Sequence, residues 1–301
     1  MSLKDRLRKE AEYLQGARAV QAGHPSVRRI RERLNLIKSD AIRRQNERIA
    51  NMVWCYETIL DVQEKYWDAF RCLKAARYYE AWCLYEQVEI ALNSLSRHFT
   101  ETNDEFKLGF VARQVQRFQQ LFPYKLFTSA GLLYKRIECS ICGKPSGLRR
   151  HCSHEAGQLY GGQLCCRVIR ELSLLEVSFV EHPINKYAVP FVKESDGEQR
   201  DHYDYTLVFY VASALANPFH AWDLQWTKRR QPHSRFADVQ PDEKCPCGAD
   251  RIYSECCLLE AGVLRPHAEI TFSIPPKQGL PPTVYTGDIA ARAGTLKPRK
   301  R

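Results

Sequence analysis

Long hydrophobic runs are missing from this chain. Nowhere in its 301 residues do eighteen apolar residues follow one another, so no segment is expected to span a membrane. Its opening residues, Met1-Ser-Leu-Lys-Asp-Arg, lead into charge instead of an apolar stretch, and no secretion signal is expected. The short motifs of common chemistries are missing as well. Without a Gly-x4-Gly-Lys-Ser/Thr loop there is no phosphate cradle of the P-loop kind, and no His-Glu-x2-His, Gly-x-Ser-x-Gly or Gly-x-Gly-x2-Gly occurs. These gaps remove nucleotide-driven motors and the familiar hydrolase and dinucleotide-binding classes.

What the chain does have is cysteine, twelve in all and most of them grouped. The sharper group is Cys245-Pro-Cys247-Gly-Ala-Asp-Arg-Ile-Tyr-Ser-Glu-Cys256-Cys257. Each close pair spans one edge of a tetrahedral coordination shell, and the loop between carries the chain around the ion, which is the spacing a closed zinc site needs. The second group is Cys139-Ser-Ile-Cys142-Gly-Lys followed by His151-Cys152-Ser153-His154. A C-x2-C hook and a Cys and His one residue apart supply four soft or borderline donors, so Cys139, Cys142, Cys152 and His154 are expected to hold a second zinc ion. Alternating side chains in extended backbone let Cys152 and His154 face the same way, with His151 as a competing ligand. Two Zn2+ ions are therefore expected. Thiols at metal-ligand spacing point to a reducing compartment, where cysteines serve metals better than disulfides.

The Cys-Pro-Cys-Gly sequence, a short loop with a Tyr, and Cys-Cys together resemble the SEC-C metal-binding motif, best known at the C-terminus of the bacterial preprotein translocase ATPase SecA. The resemblance covers about fourteen residues. It implies that Cys245, Cys247, Cys256 and Cys257 bind one zinc ion, that Gly248 permits the turn, that Tyr253 packs on the knuckle, and that the knuckle docks on a protein partner. Where the family has Ser-Gly followed by lysines, this chain has Ala249-Asp250-Arg251. A second stretch, Gly157-x2-Tyr160-x-Gly162-x2-Cys165-Cys166 and on through Leu174 to Pro190, is similar to segments of bacterial proteins that carry a SEC-C tail, and implies no activity. Together these place the chain, as an expectation, in a bacterial cytoplasm.

The formal net charge of +10 is uneven. Residues 1–50 hold thirteen Lys/Arg against six Asp/Glu, and residues 292–301 add five basic residues and no acid. Basic ends of this kind bind nucleic acid or acidic surfaces by counterion release, or form solvated faces. Arg28, Arg29, Arg31 and Arg33, with Lys228, Arg229 and Arg230 beside Trp222 and Trp226, are the residues that nucleic-acid binding would use.

An α+β protein is expected, with a helical domain over 1–128, a central Cys3His knuckle domain with short strands over 129–238, a SEC-C knuckle over 240–274 and a Pro-rich basic tail over 275–301. In the first domain Ile30, Leu34, Leu36, Ile37 and Ile42 recur on one side of an amphipathic helix over 28–45. Helices over 51–70 and 73–99 carry dense aromatics from Trp54 to Tyr85, and Cys55, Cys72 and Cys83 read as small buried residues among them. Asn103-Asp104 caps a helix over 105–121 that Phe122-Pro123 ends. Alternation of Val177 and Phe179 with Glu176 and Ser178 predicts a half-buried strand, and a second short strand follows over 187–192. Asp201 or Asp204 caps a helix running to Leu215 with Leu207, Val208, Val211 and Ala212 on its buried stripe. A last strand is expected over 267–274.

Binding to a protein partner through two metal-fixed surfaces is the function these features favour, with nucleic-acid association as the alternative. A thiol-dependent enzyme, using Cys165 or Cys166 with His182 or His202, is the third reading. Both cysteine groups look closed, whereas a catalytic zinc keeps one position open for water, so catalysis is the less favoured role.

Overall fold

The computed structural model describes residues 2–147 and 152–274. It is an α+β fold whose chain divides into two compact units: residues up to Val115 together with Tyr124–Asp201, and Gln116–Pro123 together with the residues from His202 on.

The first unit is built on helices α1 (Leu3–Leu14), α2 (Arg18–Gln21), α3 (His24–Arg43), α4 (Glu47–Lys74), α5 (Tyr78–Leu95) and the beginning of α6 (Leu108–Leu121). Ser2 opens α1 with a reciprocal cap: its hydroxyl accepts the Asp5 N–H at 3.1 Å and the Asp5 carboxylate accepts the Ser2 N–H at 3.3 Å. The inward stripe of α3 is Val27, Ile30, Leu34, Ile37 and Ala41, a run of three- and four-residue steps. Leu36 and Ile42, expected on that stripe, are 61% and 51% exposed. At about 100° per residue, a position directly before or after the stripe is carried round toward solvent. Helix α4 buries residues around much of its circumference, from Ala50 to Leu73. It ends where Ala76 adopts a left-handed backbone with φ 56°, dividing the aromatic region into two helices.

Burial of aromatic rings is the main apolar payload here. Tyr66 and Tyr85 are fully enclosed, and Trp82 meets Tyr124 edge-on with ring centroids 4.9 Å apart. Tyr56, Phe99 and Phe106 form a second group at 5.7–6.2 Å. Cys55 and Cys72 are buried among them and Cys83 half-buried, as small residues filling gaps. Buried Gln63 donates from its amide nitrogen to the carbonyls of Leu14, at 2.8 Å, and Phe106, at 2.9 Å, fixing the end of α1 and the loop before α6 to α4. Asp104 accepts the N–H groups of Gly109 and Phe110, so it caps α6 as expected. Left-handed Asp104 and Lys107 delay the first turn to Leu108.

Strands β1 (Phe127–Cys139) and β4 (Arg167–Val180) make a long antiparallel ribbon, from Phe127 opposite Val180 to Cys139 opposite Arg167. The short hairpin β2 (Leu159–Tyr160) and β3 (Gln163–Leu164) lies between them in sequence. The ribbon corrects the half-buried strand expected at Val177 and Phe179, which are 58% and 67% exposed. A two-stranded sheet has no layer packed on this face, so alternation in the sequence meets solvent. The strand expected over 187–192 is also corrected. Only Val192–Lys193 is a strand, β5, paired with β6 (Gln199–Arg200). The residues before it spend their carbonyls elsewhere: Lys186 O accepts Trp82 Nε1 at 2.6 Å, Tyr187 O accepts the Tyr79 hydroxyl at 2.7 Å and Ala188 O accepts Thr128 N at 2.8 Å. Side chains of α5 have taken acceptors that a ladder would need.

In the second unit, Asp204 accepts the Thr206 N–H at 3.0 Å at the start of α7 (Thr206–Ala214), whose Leu207, Val208, Val211 and Ala212 are buried as expected. Strands β7 (Trp222–Gln231) and β8 (Val263–Phe272) pair over their whole lengths, Trp222 opposite Phe272 and Gln231 opposite Val263. Trp222 is buried against Phe118, centroids 4.9 Å apart, while Trp226 is 39% exposed. The expected basic tail over 275–301 lies outside the described residues. No helix of the described residues is long and apolar enough to cross a membrane.

Candidate metal centres

Residues 232–262 connect β7 to β8 and carry the C-terminal cysteine cluster. The Cys245 N–H bonds to Arg251 O at 2.9 Å and the Gly248 N–H to Cys245 O at 3.1 Å, closing a tight knuckle in which Gly248 takes φ 87°. That backbone region favours glycine, and an L side chain there is strained. The Tyr253 N–H bonds to Glu243 O at 2.8 Å, and two short helical turns, 253–255 and 257–259, bring Cys256 and Cys257 back to the knuckle. Cys245, Tyr253, Cys257 and Val263 form a small buried cluster, with Phe236, Val239 and Leu264 against it. Tyr253 packs on the knuckle, and its hydroxyl lies 2.6 Å from His233 Nδ1. His233 Nε2 is 2.8 Å from Glu260 O. A carbonyl only accepts, so Nε2 carries a proton and donates it to Glu260 O.

The ligand atoms of Cys245, Cys247, Cys256 and Cys257 all lie within 4.8 Å of one another. Cys247 and Cys256 Sγ are 3.7 Å apart. Four sulfurs about 2.3 Å from a central ion are separated by edges of about 3.8 Å, whereas a disulfide requires about 2.05 Å. All twelve cysteines are free. The Ala249 N–H and Arg251 Nη2 each approach a cluster sulfur, Cys247 and Cys256 respectively, at 3.4 Å. Burial alone would raise the Cys245 thiol, but N–H groups of Cys247 and Cys257 and the neighbouring thiols outweigh it and bring it down to about 7. Burial and the surrounding thiols push Cys247 up to about 12. Cys245 is thus the first of the four sulfurs to ionise, with its neighbours as donors, and a bound ion would replace their protons.

Arg265 of β8 is a feature the cysteine spacing does not announce. Its guanidinium is buried, donates to Pro246 O and lies near Cys245 and Cys247. Four thiolates around a divalent ion carry a net charge of −2, and a buried cation beside them offsets part of it.

The central cluster is assembled from two turns of the first unit. Cys139 ends β1, its N–H bonds to Lys144 O at 2.9 Å, and the Gly143 N–H returns to Cys139 O at 2.9 Å with φ 68° at Gly143. Cys139, Cys142, Cys152 and His154 have ligand atoms within 4.8 Å of one another, so the structure brings together the donors expected from the sequence. His154 Nδ1 is buried without a hydrogen-bond partner, a state an imidazole leaves by binding an ion. Burial would raise the Cys139 thiol, yet the N–H groups of Cys142 and Ile141 and the Cys152 and Cys165 thiols bring it down to about 6. The competing ligand His151 lies outside the described residues.

The spacing argument missed Cys165, whose Sγ stands 3.8 Å from Cys139 Sγ. Its pairing with Cys166 suggested thiol chemistry, but the two diverge: Cys165 is 1% exposed and faces the cluster, while Cys166 is exposed. Burial, then the Cys139 neighbour, pushes the Cys165 thiol up to about 11, the opposite of what activates a nucleophile.

Helices support this cluster. His98 Nε2 lies 2.7 Å from Gly157 O, and Asn51 of α4 accepts the Gly162 N–H at 2.8 Å. Gly162 has φ +75° and packs so closely that a Cβ there would sit 2.7 Å from Ala50 O.

The basic residues are largely committed to carboxylates. Arg31 pairs with Asp61 and Glu64 at 2.8 and 2.7 Å, Arg33 with buried Glu10 at 2.7 Å and Arg28 with Glu32 at 2.9 Å, while Arg29 donates to Pro25 O at 3.1 Å. On β7, Arg229 pairs with Glu269 at 2.8 Å and Arg230 with Glu260 at 3.0 Å, and Lys228 is exposed. Comparison with protein-family models, curated proteins and solved structures finds no match to this chain.

Proposed function

We propose that the chain is a zinc-binding interaction protein that presents two metal-fixed knuckles, with a protein docking on the C-terminal one. The observation that carries this reading is the presence of two four-donor sets, each with all its ligand atoms within 4.8 Å of one another. Sulfur-rich donors in closed sets favour zinc over harder ions and favour a structural role over an open catalytic one. The SEC-C resemblance supports a protein partner for Cys245–Cys257 and a bacterial, cytoplasmic setting. A protein partner is further supported by the apolar side chains on one face of the β1–β4 ribbon. In register order, Phe179, Val177, Leu174 and Leu172 with Tyr134 are all exposed there. Contiguous apolar surface of this kind is usually covered by another protein. Nucleic-acid association through Arg28, Arg29, Arg31 and Arg33 is less favoured, since three of them already face carboxylates.

Elemental analysis of anaerobically purified protein tests the metal reading, with two zinc ions per chain expected and fewer than one overturning it. Capture from lysate with and without nuclease, beside Cys245→Ser/Cys247→Ser, tests the docking reading. A protein partner survives nuclease and is lost in the variant. Nucleic acid is lost with nuclease and is indifferent to the variant.

A further inference from the structure

We infer that the central centre is a five-donor site in which Cys165 and His154 share one coordination position around a single ion. This rests on the reading that the central cluster binds metal. The ligand atoms of Cys139, Cys142 and Cys152 lie within 4.8 Å of one another and supply one triangular face of a tetrahedron. Two further donors compete for the fourth corner. His154 brings a buried Nδ1 with no other partner, and Cys165 brings a buried sulfur 3.8 Å from Cys139 Sγ, about one tetrahedral edge.

The position of Cys165 is built. Its N–H bonds to Gln158 O and its carbonyl accepts the Gly157 N–H, both at 2.8 Å, closing the β2–β3 hairpin. The next residue is tied to the Cys139 turn, Ser140 N–H to Cys166 O at 3.0 Å and Cys166 N–H to Ser140 Oγ at 2.8 Å. Two turns far apart in sequence are thereby clamped with their sulfurs face to face. Cys165 is also where a spare ligand is protected, since it is buried whereas its neighbour Cys166 is exposed. When it enters the shell, it does so as thiolate and its proton passes to water. When His154 holds the corner, the Cys165 S–H donates to the Cys139 sulfur.

The test uses the full chain loaded with Zn2+, then with Co2+, as the unmutated protein and as His154→Ala, Cys165→Ser and the double variant. Two ions are expected in the unmutated chain and in both single variants. Each single change should weaken the central ion by no more than the roughly 10–100-fold typical of a partner outside the ligand shell. The Co2+ spectrum of His154→Ala should become that of four thiolates, and the double variant should keep only the C-terminal ion. Loss of the central ion in either single variant, or its retention in the double, overturns the shared position. Absence of a central ion from the unmutated chain overturns the metal reading itself, and the inference with it. The helical circular dichroism signal and the C-terminal ion report in every variant that the chain has folded. Cys165→Ala repeats the measurement without a hydroxyl in the buried position.

Discussion

The two cysteine clusters bring four donor atoms together with different amounts of protein. The C-terminal knuckle draws four thiols from a single short segment and rests on a core of a few side chains, Tyr253 and Val263 among them. The central knuckle gathers donors from residues 139 to 154 and leans on α4 through Asn51 and on His98, just past α5. A segment too short to bury its own core depends on an ion for folding, whereas a cluster braced by helices shares that dependence with its scaffold.

Metal removal should break the comparison most sharply. A strong chelator should abolish amide-exchange protection over residues 241–262 while leaving α3, α4 and α5 protected, as read by hydrogen exchange with mass spectrometry. Loss of helix protection at the same chelator concentration would show that the helices, too, depend on an ion.

A smaller effect is expected at Gly162→Ala, which places a Cβ 2.7 Å from Ala50 O at φ +75°. Strain of this kind costs roughly 1–3 kcal/mol, measurable by urea denaturation of the first unit. The C-terminal ion should be unaffected.

Arg265→Met sharpens the contrast from the other side. Removing the buried cation beside Cys245 and Cys247 should lower affinity at the C-terminal site by about 10–100-fold in a zinc-competition titration, with the central site unchanged.

The least effect, and the finest, is in pH. Cys139 is held at about 6 and Cys245 at about 7 in the metal-free chain, so the first thiolate absorbance at the central cluster should appear at lower pH than at the C-terminal one. Protons then compete less with metal at the centre, and central loading should persist to lower pH. Both thiols lie below the ordinary cysteine value of 9.0, so the stability each contributes is complete above that pH and is lost as pH falls through about 6 or about 7. An ultraviolet thiolate titration of Cys139→Ser and Cys245→Ser variants checks the order.

Much of the helical half was legible before any coordinates. The stripe Ile30, Leu34, Ile37 follows from periodicity, and Asp104 announces its cap because a short carboxylate before an apolar run has free N–H groups to accept, while Asp204 sits one residue before the Tyr205 cap of α7 and accepts the Thr206 N–H. That Cys139, Cys142, Cys152 and His154 come together was legible for a similar reason, since local spacing limits which donor atoms can reach one point. The ribbon was harder to read. No strand was expected over Phe127–Cys139 or Trp222–Gln231, and the burial inferred at Val177 and Phe179 required a covering layer that periodicity alone does not supply.

The sequence by itself determined the donor types, their short-range spacing, the amphipathic helices and the surplus of positive charge at the two ends. These are properties of neighbouring residues. Only the tertiary structure decided that Cys165 faces Cys139, that Arg265 lies under the C-terminal thiols, and that the arginines of α3 are matched to Glu10, Asp61 and Glu64. Each joins residues distant along the chain, and the register of strands and the packing of helices set those meetings.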